Sequence, residues 1–144
     1  MAMKKLIFLD FDGVLHPNFS QEGDYFSQTG FLLDALNGIA GDVEIIISSS
    51  WRFHWPKDVL LKKLPKPLAL LVTGVTPMVE PGRHQRYREI HGYLRSRLGR
   101  LDWRALDDAA NEFPKGCAEL IECDGRVGLD DTSVAQLRKW LRQV

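Results

Sequence analysis

The chain has few cysteines, no net charge and no long apolar run, and each shortage narrows what it can be. Cys117 and Cys123 are the only two cysteines in 144 residues. They are too few for a disulfide framework, and their spacing lacks the second pair a zinc site needs. A reducing, cytoplasmic setting is therefore expected. Nineteen basic residues balance nineteen acidic ones, so net charge makes no case for nucleic acid or a membrane surface. No apolar stretch approaches the roughly 20 residues of a membrane span. Lys4 and Lys5 ahead of Leu6 to Leu9 open like a secretory signal, but Asp10 and Asp12 cut the run short, so the segment reads as mature sequence. Neither repeats nor low-complexity tracts occur. Hydrophobic residues make up 44% and charged residues 26%, ordinary for a folded globular chain. The length suits one domain, 1–144, with a single core.

What is present is organised around Lys5 to Pro17, Lys-Leu-Ile-Phe-Leu-Asp-Phe-Asp-Gly-Val-Leu-His-Pro. Leu6 to Leu9 reads as a short buried strand, although four apolar residues also suit a helix segment. Gly13 then frees the backbone to turn. If residues 10 to 12 stay extended, Asp10 and Asp12 share a side and Phe11 points into packing. Carboxylates this close repel unless a cation or several donors sit between them. Hard oxygen ligands without a neighbouring cysteine favour Mg2+. The structural alternative is a strand followed by a polar Asp-Gly turn.

Further along, residues 14–30 read as a loop too short to fold separately, and Phe31 to Ile39 as a helix ended by Gly41. Val43 to Ile47 is a β-branched strand running into Ser48, Ser49, Ser50, Trp51 and Arg52. Hydroxyls at a strand exit suit phosphate oxygens, or else cap the next turn. Ser49 is favoured because it shares a face with Ile45 and Ile47, with Ser48 and Ser50 as alternatives. Trp51 can line a site mouth or belong to the core, and His54 reads as structural. A helix from Pro56 to Leu64, closed by Pro65 and Pro67, precedes Leu68 to Val75, which reads as a third strand although its leucine-rich composition also suits a helix. Arg83 to Leu98 is helical, with Tyr87, Ile90, Leu94 and Leu98 on one face and an arginine-rich opposite face that reads as solvated. Trp103 to Leu106 is a strand ending in Asp107 and Asp108, Ala118 to Glu122 the fifth strand, and Thr132 to Arg142 a closing helix. Asp130 and Asp131 read as its cap.

Taken together, Asp-Phe-Asp-Gly-Val-Leu after the first strand, Ser-Ser-Ser-Trp-Arg after the second, and Leu-Asp-Asp after the fourth resemble the signatures of the haloacid dehalogenase-like (HAD) superfamily of phosphoryl-transfer enzymes. The resemblance covers nearly the whole chain. Asp-Gly-Val-Leu-His-Pro, Ser-Ser-Trp-Arg, Thr76-Pro77, Leu-Asp-Asp and a late Gly-Leu narrow it to a small branch associated with RNA-repair proteins. It implies a three-layer α/β/α sandwich around a mainly parallel five-stranded Rossmannoid sheet, strand order 5-4-1-2-3, without a cap domain. It also implies a Mg2+-dependent phosphatase working through an aspartyl-phosphate, with Asp10 as nucleophile and Asp12 as general acid and base. Asp10, the Asp12 carbonyl and Asp107 would hold the metal, with Asp108 acting through water and Asn111 nearby. Ser49, Ser50, Trp51 and Arg86 would meet the substrate, Arg83 and Arg88 being alternatives to Arg86. An uncapped site suits a phosphate on a large partner such as a nucleic-acid end. A non-catalytic binding module, or a nucleotide or sugar phosphatase whose lid comes from another subunit, remains the alternative.

Overall fold

The computed structural model describes residues 3–39 and 41–143. The strands are β1 (Lys4–Leu9), β2 (Val43–Ile47), β3 (Val72–Val75), β4 (Leu101–Asp107) and β5 (Leu120–Glu122). The helices are α1 (Thr29–Leu36), α2 (Lys57–Lys63), α3 (Lys66–Ala69), α4 (Gln85–Arg95) and α5 (Asp131–Leu141). The strands form a parallel sheet in the order β3-β2-β1-β4-β5, the expected order read from its other edge.

β1 lies at the centre because it is apolar on both faces. Leu6, Ile7, Phe8 and Leu9 are all fully buried, and their side chains alternate between two cores. Leu6 and Phe8 pack with Ile46, Ala105 and Ile90 beneath α4. Ile7 and Leu9 join Ile45, Ile47 and Leu106, covered by Leu32 of α1, Leu60 of α2, Leu68 of α3 and Leu137 of α5. One layer thus holds four helices and the other holds α4.

Several element boundaries move from their sequence expectation. The first helix stops at Leu36, before Ile39, because Gly38 takes a left-handed φ of 75°. Pro67 does not close a helix; it lies at the start of α3, where its missing N–H costs nothing. That short helix takes Leu68 and Ala69, so β3 begins only at Val72. Leu98 lies beyond α4 and is exposed, unlike its periodic partners Ile90 and Leu94. Asp130 caps α5 as expected: its Oδ1 accepts the Ser133 N–H at 3.0 Å, and Ser133 Oγ accepts the Asp130 N–H at 2.9 Å.

Between β1 and α1 the described chain contains only a 3-10 turn, Glu22–Asp24. Between β2 and β3, the buried Leu60, Leu64 and Leu68 commit α2 and α3 to the core. Neither interval carries a cap. No helix among the described residues is long and apolar enough to cross a membrane.

Candidate active site

The sheet register builds the site. Leu9 of β1 aligns with Ile47 of β2 and Leu106 of β4, and Ile47 aligns with Val75 of β3. The next residue on each strand therefore falls in one row: Thr76, Ser48, Asp10 and Asp107. Ladder hydrogen bonds continue into that row, from Asp10 N to Leu106 O at 3.1 Å, Ser48 N to Leu9 O at 3.0 Å and Thr76 N to Ile47 O at 2.9 Å. By alternation, Asp10 follows Leu6 and Phe8, Ser48 follows Ile46, and Asp107 follows Ala105. All three lie on the α4 side of the sheet, at the carboxyl edge where open α/β sheets take ligands.

Carboxylate oxygens of Asp10, Asp107 and Asp108 all come within 4.8 Å of one another. Among the described residues their one close cation is Arg86, from the first turn of α4. Its Nη1 stands 2.6 Å from Asp107 Oδ2 and 3.4 Å from Asp10 Oδ1. Glu112 holds that turn by accepting the Arg86 backbone N–H at 3.1 Å. Backbone donors help little: Phe11 N–H serves Asp10 Oδ1 and Ala109 N–H serves Asp107 Oδ1, each at 2.9 Å. Burial, reinforced by Asp107, pushes the Asp10 carboxyl well above the usual carboxylate range despite Arg86. Burial likewise raises Asp107. For Arg86 burial pulls the other way, yet Asp107, Asp10 and Glu89 outweigh it and hold its charge more firmly. Three carboxylates converging in a partly buried site around one guanidinium fit a hard divalent cation such as Mg2+.

Two glycines make room for Asp108. A Cβ at Gly13, whose φ is +78°, would come 2.4 Å from the Asp108 carboxyl carbon, and one at Gly125 would come 2.5 Å from Oδ2. Gly13 is thus required both by its turn and by its neighbour.

Asp12 is separate from the metal-type cluster. Its Oδ1 accepts from His16 Nε2 at 2.7 Å, and its Oδ2 from Trp51 Nε1 at 3.0 Å. The Phe26 N–H donates to His16 Nδ1 at 3.2 Å, so the imidazole carries its proton on Nε2 and presents it to Asp12. Phe26 reaches this position from a left-handed φ of 66°, and Phe11 packs edge-on against Phe26 and Trp51. Asp12 also borders a cleft of about 380 Å³ lined by Tyr25, Ser50, Trp51, His54 and Trp55.

Several residues make contacts other than those the sequence suggests. Ser49 continues the face of Ile45 and Ile47, the layer opposite Asp10, and its Oγ accepts the Trp51 N–H at 3.2 Å as a turn cap. Ser48, not Ser49, lies in the row with Asp10. Asn111 is exposed; the amide beside the acids is instead Asn18, whose Nδ2 donates to Asp108 Oδ2 at 2.7 Å. His54 is exposed on the cleft wall, not structural. Arg88 bonds back to the Arg83 and Glu80 carbonyls, leaving Arg86 as the arginine at the acids. Trp51 proves to be both core and site, 8% exposed with its N–H on Asp12.

The sequence places Arg52 beside a candidate site mouth and His16 in the first motif, but gives neither its partners. The Arg52 guanidinium donates to the Ser48, Ser49 and Thr76 carbonyls, each at 2.9 Å, and pairs with Glu89 at 2.8 Å. It ties the ends of β2 and β3 to α4. Thr76 and Glu89 are remote in sequence, so no local spacing reveals the tie. The spacing of Asp12 and His16, four residues apart, was visible, but it becomes a contact only because the chain turns tightly at Gly13.

No curated protein and no solved structure matches the chain. One family model does, described as the HAD domain in Swiss Army Knife RNA repair proteins, and it matches residues 6–134. That span takes in β1 from Leu6 onward, Asp10 and Asp12 after it, the Ser48 row, Arg86 and the Asp107-Asp108 pair. The chain belongs to this family, and with it to the HAD-type hydrolases.

Proposed function

We propose that the protein is a Mg2+-dependent phosphomonoester hydrolase that forms an aspartyl-phosphate on Asp10. The observation that carries this reading is the row of Ser48, Asp10 and Asp107 at the sheet's carboxyl edge, with Arg86 above it and Asp12 alongside. Held by Asp10, Asp107, Asp108 and the Asp12 carbonyl, Mg2+ would supply the positive charge that lets a phosphate approach a carboxylate.

An Asp10 carboxylate oxygen attacks phosphorus in line, and the bond from phosphorus to the ester oxygen breaks. Asp12 delivers a proton to the departing alcohol oxygen. It then takes one from a water molecule, whose oxygen attacks the aspartyl-phosphate, releasing inorganic phosphate and restoring Asp10. His16 and Trp51 hold Asp12 in the orientation this exchange needs. The Ser48 hydroxyl and the Arg86 guanidinium donate to phosphoryl oxygens. Arg86 Nη2 has no hydrogen-bond partner among the described residues and is available for that role.

The absence of a cap favours a phosphate displayed by a large molecule over one that must be enclosed. The family description refers to RNA repair, which supports a nucleic-acid end as that molecule.

The test is phosphate release from end-phosphorylated RNA and DNA and from small phosphate esters, with Mg2+ and with chelator. Wild type should turn over with Mg2+ only, and Asp10→Asn should lower kcat by about a thousandfold or more while melting as a folded protein. Normal turnover by folded Asp10→Asn would remove the nucleophile from this scheme.

A further inference from the structure

The cleft beside Asp12 is built differently from the acid cluster. Its floor is Trp51, 8% exposed, and its rims are Tyr25 and Trp55, each 38% exposed. Tyr25 meets Trp51 at 5.2 Å with the rings 74° apart, while Trp55 meets it at 5.2 Å and 39°. Two half-open rings thus diverge from a buried third. Lys63 places its ammonium 4.8 Å from the Trp55 ring centroid, and Glu22 completes the lining.

Two features connect the cleft to the chemistry. Trp51 donates its indole N–H to Asp12, and Asp12 itself lines the cleft. Whatever occupies it lies on the side from which Asp12 reaches a departing oxygen. The leaving group, rather than the phosphoryl group, belongs there.

Resting on the phosphatase reading above, we propose that this cleft is a leaving-group subsite for a nucleobase, so that the substrate is a nucleoside phosphate unit. Aromatic walls stack on any base face, because every base is a π-surface. About 380 Å³ falls within the usual range of small-ligand sites. The charged residues choose between ring types. A phenyl ring, as in a phosphotyrosine side chain, leaves Glu22 and Lys63 without hydrogen-bonding partners. A nucleobase edge carries amino groups for the carboxylate and carbonyl or ring-nitrogen acceptors for the ammonium. The Lys63 ammonium also suits the anionic backbone next to a base.

The test measures binding by calorimetry to the Asp10→Asn protein in Mg2+, comparing adenosine 5′-monophosphate with ribose 5-phosphate. The nucleotide should bind about tenfold or more tightly, the size of effect one stacked base gives. Trp55→Ala should bring the two affinities together, and Trp55→Phe, which keeps a ring, should preserve most of the difference. Circular dichroism of each variant confirms that it is folded. Equal affinities in the unmutated cleft, a difference that survives Trp55→Ala, or tighter binding of a phosphotyrosine peptide would each overturn the proposal. A short end-phosphorylated single strand identifies the source of the base: further gain over the mononucleotide means a polymer end, no gain a free nucleotide. Because the readout is binding, it separates from the hydrolysis assay. Base-dependent binding without turnover of any ester would remove the phosphatase reading and leave the subsite standing.

Discussion

The two ends of the central strands carry similar charged residues and treat them in opposite ways. At the amino end every charge in the cluster is matched. Glu44 accepts from Lys4 and Arg97, each at 2.9 Å, and from Thr73 Oγ1 at 2.6 Å. Lys5 Nζ donates to the Trp140 and Leu141 carbonyls at 2.8 and 2.9 Å, the favourable place for a cation at a helix terminus. Asp102 takes Arg104 at 3.3 Å and the Trp140 indole N–H at 2.8 Å. At the carboxyl end three carboxylates cluster, and only two of them, Asp10 and Asp107, share Arg86, while Asp108 takes the neutral Asn18 amide. The carboxyl groups register the difference. The Arg97 hydrogen bond leads the forces that pull Glu44 down to about 2, whereas burial and Asp107 push Asp10 up. Charge that holds a fold together closes on itself, and charge left in excess is available to a ligand.

The strongest way to break this contrast is through Arg52, which is as fully paired as anything at the amino end but stands at the carboxyl edge. Arg52→Ala leaves Glu89 buried without its partner at 2.8 Å and frees the Ser48, Ser49 and Thr76 carbonyls. Removing one member of a buried pair costs about 3 to 5 kcal/mol, so the unfolding midpoint in denaturant should fall sharply. Arg52→Lys should recover only part, because one ammonium cannot replace a guanidinium fork across three carbonyls and a carboxylate. A loss below about 1 kcal/mol for Arg52→Ala would mean that the site does not depend on this tie.

The excess negative charge gives the next largest effect, through pH and metal. In the folded metal-free protein the Asp10 and Asp107 carboxyls hold their protons to higher pH than they would unfolded. Between those two limits the native state binds more protons, so stability falls as pH rises through the window and stays lower above it. Mg2+ at the three carboxylates opposes this loss and requires them ionised. Thermal melts from about pH 4 to about pH 8 should therefore show a Mg2+ stabilisation that grows with pH. Asp10→Asn should flatten the metal-free decline. A Mg2+ shift that is equal at both ends of the range would contradict the raised carboxyls.

Why the carboxyl end was so legible in the sequence, and the amino end so little, follows from how each is built. Asp10 and Asp107 each sit at the end of an apolar strand, so a linear scan picks them out, and parallel pairing in register then aligns them with Ser48. The strand order is not written in those positions; it follows from the family resemblance they carry. The scan failed where partners are distant along the chain. Arg52 with Glu89 and Asn18 with Asp108 are contacts made only after folding. Choosing among the serines failed for a subtler reason: Ser49 was assigned by alternation to the face of Ile45 and Ile47 correctly, but Asp10 lies on the other face, with Phe8. Leu68 to Val75 is apolar enough for a strand throughout, yet Pro67 favours helix α3 first, and no periodicity in so short a run decides between them.

Glu44 offers the smallest and cleanest test of the comparison. Its carboxyl sits lower than an ordinary glutamate, held there mainly by Arg97. A carboxyl lowered on folding contributes stability that is present above its unfolded value and is lost as pH falls toward the folded one. Here that window runs from the usual glutamate range down to about 2. Glu44→Gln should accordingly cost about 1 kcal/mol or less at neutral pH, the size of a partly exposed ion-pair network, and the cost should disappear in acid melts. Phosphate release should be unaffected, since Glu44 lies at the start of β2 and Ser48 just past its other end. If Glu44→Gln instead slowed turnover in proportion to its loss of stability, the two ends of the sheet would be coupled through β2, and the division between structural and available charge would fail.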